Sequence, residues 1–517
     1  MKMKNGFLSL KEDVVLRSDK KRSVIYFRRR HHLEDVTDIV KNETTFSTLS
    51  PDLTTALYLM DGTREFKEIA EFVKNFFHLN EEECDRFEEH LSIDLDRFYT
   101  YESKPKQDVA KHFDLDQILP NLKDIDTFDM SSNYLYYPYT FLLIPSMQCS
   151  FDCIYCYADR EHAYEPISLE AWESIIYEAA LTFKAKDISV SGGDFFLYPN
   201  WKEFLKILSY YHYYPELPTK IPLSENQQVF LYDLGFESYQ ISLDTLNPLR
   251  LGSLLGIKYP EKYARTMLNS IESAEKIGLK VSINSVQTRY SYPDLFATMQ
   301  QLAIYHNIYR IAVNTISDSL YKKDMEAILF TEKEKDEYVH QLGMIRKLFN
   351  AKNTSLHLNE NPYWIGKNLQ FSELEYFERK QCNGARTGIV ILPDGIVTAC
   401  EELYWNPNYK LGDLKEHTLE MIFNSPKRWN MIHPMQSDFT ASSYCSSCKP
   451  DLFNRCNSEK GRCIRDSLKI FRQEQAPDPR CPFYGKNSSH QSSVSYQPLQ
   501  SFKKASQRFK SNVIKEV

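Results

Sequence analysis

Between residues 138 and 316, short β-type runs alternate with longer stretches whose apolar positions recur every three or four residues. The strand-like runs are Thr140–Ile144, Asp187–Ser191, Leu217–Leu223, Ser238–Leu243, Lys280–Gln287 and Ile308–Ile316. Helical spacing fills the intervals, as in 168–184 and 263–278. Such alternation predicts parallel strands joined by right-handed crossovers. Six units predict an α/β fold, a partial (β/α)6 TIM-like barrel within 136–370, with its chemistry at the C-terminal strand ends.

A different pattern precedes the barrel. Ser23–Arg28 and Thr45–Ser50 read as strands, Pro51–Met60 as a helix, and Asp61-Gly62 as a turn. Residues 66–76 and 81–98 continue with amphipathic helical spacing. This predicts a small winged-helix-like domain over 1–108, followed by a linker over 109–135. After the barrel, Gly388–Leu392 and Ile396-Val397 flank Pro393-Asp-Gly395 and read as a β-hairpin inside a cysteine-rich domain, 371–484. The segment 485–517 is rich in Ser, Gln and Lys and reads as a disordered tail.

Composition narrows the function. The chain of 517 residues is long enough for two or three domains, and its formal charge of -7 supplies no basic surface for nucleic acid. No run of eighteen apolar residues suggests a membrane span, and the N-terminal apolar run is too brief for a secretory signal. A cytoplasmic protein is expected. Ten of the 11 cysteines fall at or after Cys149, and Cys84 stands apart in an acidic helical run. In a reducing compartment, clustered cysteines read as metal ligands rather than disulfides.

The densest cluster is Met147-Gln-Cys-Ser-Phe-Asp-Cys-Ile-Tyr-Cys-Tyr157, which directly follows the first barrel strand. Cys149, Cys153 and Cys156 have the spacing C-x3-C-x2-C, with Tyr155 before the third. Three thiolates leave one iron of a [4Fe–4S] cluster without a protein ligand, free to chelate a small molecule. A zinc site is the alternative, with His162 as a fourth ligand. The motif resembles the signature of radical S-adenosylmethionine (SAM) enzymes. That resemblance implies SAM on the open iron, cleaved to a hydrogen-abstracting 5′-deoxyadenosyl radical. It also implies cofactor contacts from Tyr155, from Gly192, Gly193 and Asp194 in Ser191-Gly-Gly-Asp194, and from Ser242 in Gln240-Ile-Ser-Leu-Asp-Thr245. Arg265 would pair with the SAM carboxylate. Asp194 and Phe195 stand where the family carries Glu and Pro. Lys220 reads either as a residue of the same mouth or as an ordinary lysine.

Cys382 and Cys400 flank the hairpin, and Cys445, Cys448, Cys456, Cys463 and Cys481 follow with the spacing C-x2-C-x7-C-x6-C-x17-C. This order resembles the SPASM domain, an auxiliary-cluster extension of radical SAM enzymes. By resemblance, Cys445, Cys448, Cys456 and Cys481 close an outer [4Fe–4S] cluster. Cys382, Cys400 and Cys463 hold an inner one with an open iron. Zinc at Cys445-x2-Cys448 is the alternative. Glu401 is the candidate catalytic base, because related SPASM enzymes carry an acidic residue beside the matching cysteine. Glu402 is its competitor.

Leu49-Ser-Pro-Asp, Ala56-Leu-Tyr-Leu-Met-Asp-Gly-Thr63 and Ile69-Ala-Glu-Phe72 resemble the PqqD-type element that binds a precursor peptide through its leader. Together these resemblances imply a maturase of ribosomally synthesised peptides that forms a thioether or carbon–carbon cross-link. Its reductant would be a flavodoxin or ferredoxin. The alternatives are a sulfatase-maturase-like formylglycine-forming enzyme and a non-catalytic, cluster-bearing partner that delivers the peptide.

Overall fold

The structure, a computed structural model, describes residues 6–29, 46–106, 129, 131, 133–316, 319–322, 325–360 and 371–484. Nearly all of the expected linker 109–135, and the whole expected tail 485–517, lie outside the described residues.

The N-terminal region contains β1 (Phe7–Leu10), β2 (Val14–Ser18), β3 (Ser23–Phe27), β4 (Ser47–Leu49), α1 (Pro51–Leu59), β5 (Asp61–Glu65), α2 (Phe66–Phe77), α3 (Glu81–Glu89) and β6 (Tyr99–Glu102). Its strands form two antiparallel sheets, β5-β1-β6 and β2-β3-β4. The Asp61-Gly62 turn is taken up into β5, with Gly62 at φ +90°, a conformation that glycine adopts without strain. The helix expected over 81–98 breaks into α3, a π-turn at His90–Asp94 and a 3-10 turn at Asp96–Phe98. That change of pitch lets Phe87, Leu91, Leu95 and Phe98 all reach one core with Leu57, Ile69 and Val73.

The barrel runs β7 (Thr140–Leu143), α4 (Leu169–Tyr177), β8 (Asp187–Val190), α5 (Trp201–Tyr210), β9 (Pro218–Thr219), α6 (Glu225–Asp233), β10 (Ser238–Ser242), α7 (Pro248–Leu255), α8 (Pro260–Ile277), β11 (Lys280–Gln287), α9 (Leu295–Leu302), β12 (Ile308–Thr315), α10 (Glu332–Phe349) and β13 (Ser355–Leu358). All six expected strands are present, and β9 to β13 form one parallel sheet. β9 is only two residues long, because Pro215, Pro218 and Pro222 lack the N–H donors a ladder needs. Helix-facing side chains such as Ile241, Ile283 and Ile311 are almost wholly buried. Full burial of such a side chain contributes about 1.5–3 kcal/mol.

Two additions extend the six strands. β13 is a seventh parallel strand, at the sheet edge and largely half-buried, so its alternation is weak. β14 (Gly388–Ile391), the first arm of the expected hairpin, pairs in parallel with β7, Gly388 opposite Thr140 and Ile391 opposite Leu143. β15 (Ile396–Thr398) and β16 (Lys410–Asp413) complete that sheet, ordered β16-β15-β14-β7-β8. The cysteine-rich region is thereby joined to the barrel through continuous backbone hydrogen bonding. Its helices are α11 (Glu373–Glu378), α12 (Leu419–Phe423), α13 (Pro426–Ile432), α14 (Pro450–Arg455) and α15 (Ile464–Phe471).

Residues 133–137 clasp the three regions together. Asp19 accepts backbone N–H bonds from Tyr136 (3.1 Å) and Tyr137 (2.9 Å) and is paired with Arg22 at 3.1 Å. Arg22 reaches the carbonyls of Ser131 and Tyr134. From the opposite side, Arg428 of α13 donates to the Leu135 carbonyl at 2.7 Å, and Asn424 to that of Tyr136 at 3.0 Å. The side chains of Arg22 and Asp19 are both fully buried. Arg22→Met is therefore expected to leave an unpaired buried carboxylate and lower stability by about 3–5 kcal/mol, measured by urea unfolding. Asp129 beside the clasp has a second signature. Burial alone would raise its pKa, but bonds from Ser131, Tyr134 and Tyr136 hold it down at about 2. Its contribution is present above the ordinary carboxylate range and lost as pH falls from about 4 towards 2. Asp129→Asn should remove that part of the acid loss in a pH series of unfolding curves.

Candidate active site and cluster-binding cysteines

The cysteine loop leaves β7 and is pinned by backbone. The N–H groups of Asp152 and Ile154 bond to the carbonyls of Leu255 and Leu254 at the end of α7, each at 3.0 Å. Cys156 N–H closes back on the Cys153 carbonyl at 3.1 Å. Arg160 donates to the carbonyls of Phe151 and Cys149. The turn after β8 lies directly on this loop. Gly193 N–H bonds Ser146 O at 3.0 Å, and Asp194 N–H bonds Gln148 O at 2.7 Å. A Cβ on Gly193 would stand 2.1 Å from the Gln148 carbonyl oxygen. One on Gly192, whose φ is +126°, would stand 2.4 Å from that of Ser146. The glycines are required by contact between chain segments, whatever ligand they also approach.

Burial raises the Cys149 thiol, and it raises that of Cys153 to about 12. Both also sense Cys156, so the three sulfurs share one neighbourhood. The opposing charge comes from Lys220, whose ammonium favours the Cys153 thiolate. Lys220 is held by Asp244 at 3.2 Å and by the Ser242 carbonyl at 3.1 Å. Asp244 is buried, and it also accepts from the Tyr155 hydroxyl and from Val286 N–H at 2.9 Å. Burial and the Asp244 charge together keep the Tyr155 hydroxyl protonated. Sequence reasoning passed over Asp244, although it lies two residues after Ser242 in the same motif, and left Lys220 undecided.

Not every expected residue reaches this mouth. Asp194 is 2% exposed, and its carboxylate accepts from Thr219 Oγ1 (3.0 Å) and from the N–H groups of Phe196, Lys220 and Ile221. It ties β9 to the glycine turn and acts by position. Arg265 is not brought to the mouth by any contact in the structure. Ala264 and Met267 turn inward on α8, and Arg265 between them is exposed, with no side-chain bond to the mouth among the described residues. Ser242 is half-buried at the end of β10, its hydroxyl accepting from Gln240 at 3.2 Å.

The structure separates the two glutamates. Glu401 accepts from the Ser191 hydroxyl at 3.2 Å, at the end of β8, and its charge is the largest influence on the neighbouring Tyr157 hydroxyl. Burial, and then the charge of Glu402, raise the Glu401 carboxyl. Glu402 is committed elsewhere, paired with Arg465 at 2.9 Å and with Lys469. His162 lies stacked on Trp405, ring centroids 4.2 Å apart. Among the described residues, no three His, Cys, Asp or Glu side chains gather closely enough to hold a single metal ion.

The later cysteines fall into two neighbourhoods. Cys445, Cys448, Cys456 and Cys481 line one cavity walled by Phe439, Phe453 and Phe483. The Tyr376 hydroxyl lies 3.1 Å from Cys456 Sγ. Cys400 and Cys463, both raised to about 12 chiefly by burial, each sense Cys382.

Comparison with known proteins agrees with this geometry. Residues 143–302 match the model of the radical SAM superfamily, and residues 382–449 match SPASM, an iron–sulfur cluster-binding domain. The chain thus carries a radical SAM domain followed by a SPASM domain. A GTP 3′,8-cyclase from Aliarcobacter butzleri is 29% identical over 144 residues, 27% of this chain and 43% of that enzyme. The chain thus spans less than half the length of this curated relative. The crystal structure of Streptococcus suis SuiB bound to S-adenosylmethionine covers 91% of this chain and 98% of its own, at 19% identity and a TM-score of 0.59. SuiB bound to precursor peptide SuiA gives the same values. This likeness is one of fold.

A radical SAM core carries a [4Fe–4S] cluster and SAM, and a SPASM domain carries auxiliary iron–sulfur clusters. The donor sets fit them. Three thiols on a backbone-pinned loop face a fixed cation, and four more share an apolar cavity. The loop's dependence on Gly193 is testable. Gly193→Ala should displace the cysteine loop and cost the chain the irons of this one site, counted by iron and sulfide analysis after anaerobic reconstitution. Full iron content with unaltered SAM affinity would contradict it.

Proposed function

We propose that this enzyme modifies a ribosomally synthesised precursor peptide, taking hydrogen from a core residue and joining that residue through a thioether or carbon–carbon bond. The observation that carries the reading is Glu401. It is a half-buried carboxylate beside Cys400, reaching out of the SPASM region to bond Ser191 at the barrel mouth. A base there lies between the two cysteine sites that the reaction needs.

Cys149, Cys153 and Cys156 would hold the SAM-binding cluster, Cys382, Cys400 and Cys463 the inner auxiliary cluster, and the remaining four cysteines the outer one. Bound there, these groups supply a hydrogen-abstracting 5′-deoxyadenosyl radical and an acceptor for the electron left over. The chain's own residues do the rest. Tyr155, Asp244 and Lys220 fix the cysteine loop and set its charge. Glu401 takes the proton released by the thiol or other group that closes the new bond. Ser191 orients the carboxylate.

Peptide recognition is assigned to residues 1–108, read as a PqqD-like element. Among the described residues β4 pairs only with β3, so its outer edge is available for a leader strand. The shared fold with SuiB, which binds its precursor SuiA, supports this use. A flavodoxin- or ferredoxin-type protein would supply electrons in the cytoplasm.

The test is anaerobic reconstitution with a precursor peptide encoded beside the gene, following 5′-deoxyadenosine by chromatography and the peptide by tandem mass spectrometry. Wild type should yield a peptide lighter by two hydrogens, with a cross-linked stretch that resists fragmentation. Glu401→Gln should retain SAM cleavage and lose roughly 10²-fold or more in cross-linked product. Cross-linking at the wild-type rate by that variant would remove Glu401 from its role. Conversion of a single Cys or Ser to formylglycine would favour the alternative chemistry.

A further inference from the structure

The lumen of this barrel is polar where barrels of the complete kind are packed with Val, Ile and Leu. On β10, β11 and β12 the side chains of Tyr239, Ile241, Val281, Ile283, Ile311 and Val313 are at most 1% exposed and pack in the core with the surrounding helices. The alternate positions therefore face inward. They include Gln240, Ser242, Asn284 and Asn314, all half-buried.

Two of these form a pair with a readable edge. Asn314 Nδ2 donates to Asn284 Oδ1 at 2.9 Å. Among the described residues, neither carboxamide has another side-chain bond. The pair therefore keeps the NH2 donors of Asn284 and the carbonyl acceptor of Asn314 open. Turning both amides over reverses the bond and exchanges the open groups, an acceptor on Asn284 and a donor on Asn314, so the pair offers one edge of each kind either way. A secondary amide presents the complementary acceptor and donor, and a peptide main chain is a row of secondary amides.

The pair stands beside the reacting end of the barrel. Asn284 lies opposite Ser242 in the parallel register, and its carbonyl accepts Leu243 N–H at 3.0 Å. Two residues on, Val286 N–H bonds Asp244, which holds Tyr155 and Lys220 under the cysteine loop. Charge argues the same way. The cations nearest this lumen are matched, Lys220 by Asp244 at 3.2 Å and Arg310 by Glu216 at 2.6 Å. A polyphosphate would find its counter-charges taken, whereas a neutral amide needs none.

We propose that the Asn284–Asn314 pair is a main-chain clamp that holds one peptide group of the substrate in the lumen, next to the residue to be modified. The inference rests on the peptide reading above and adds the subsite and the chemistry that fills it. A clamp on the main chain fixes position without choosing the side chain, so it sets where along the peptide hydrogen is taken.

The experiment is a double-mutant cycle on the reconstituted full-length enzyme. The probe is the precursor peptide encoded beside the gene, intact and with single backbone N-methyl groups placed along its core. Peptide and SAM affinities are measured by anaerobic calorimetry. Asn314→Ala should weaken peptide binding roughly tenfold, the loss expected for one or two hydrogen bonds, with the SAM dissociation constant unchanged. The N-methyl position most damaging to wild type should cost the variant nothing further. Asn314→Asp, which keeps an acceptor, should recover part of the loss. Fully additive penalties would overturn the clamp. Weakened SAM binding with unchanged peptide binding would assign the pair to the cofactor and overturn it equally. If wild type neither binds nor modifies the peptide, the peptide reading itself fails and the clamp falls with it, a result distinct from the other two.

Discussion

The mouth of this barrel depends on a backbone-to-backbone contact that side chains would forbid. The turn 191–194 lies against residues 146–148 so closely that a Cβ at 193 would meet a carbonyl at 2.1 Å. Two hydrogen bonds cross that contact, and the cysteine loop begins one residue later. Asp194, next in line, binds the start of the following crossover through Thr219, Lys220 and Ile221. One short turn thus locates the cysteine loop and the lysine that opposes it. The glycines carry a structural duty before any ligand is considered.

Around that contact the molecule spends buried charge sparingly. Lys220 sits with Asp244, Glu402 with Arg465 and Lys469, and Asp19 with Arg22. Each set is hydrogen-bonded as well as paired, which is what keeps an ion tolerable away from water. Glu401 differs. Its bond is to a neutral hydroxyl, and burial pushes its carboxyl up rather than down. Among the described residues no cation is in direct contact with it, which leaves it free to exchange a proton and separates it from Glu402 one residue away.

Much of this was legible in the sequence, for reasons that are local. Strand alternation in Ser238–Leu243 or Lys280–Gln287 follows from one face packing on helices, and cysteine spacing follows from cluster chemistry. Pairings between distant segments left no such trace. β14 lies beside β7 across more than two hundred residues, and no periodicity in Gly388–Leu392 announces a parallel neighbour. The exposure of Arg265 could not be read without the phase of its helix. That helix turns Ala264 and Met267 inward, and the arginine that chemistry suggested is exposed. Glu401 and Glu402 were inseparable for the same reason, since their difference lies in partners contributed by Ser191 and α15.

The central claim is that radical chemistry in this barrel is directed at a peptide. It is tested most directly by following the abstracted hydrogen. A precursor peptide deuterated at its core side chains is incubated anaerobically with reconstituted enzyme, SAM and reductant, and the 5′-deoxyadenosine is weighed by mass spectrometry. The account predicts 5′-deoxyadenosine carrying one deuterium from the peptide, in step with loss of hydrogen from the same residue. 5′-Deoxyadenosine formed at full rate, with no deuterium from any labelled core position, would contradict it.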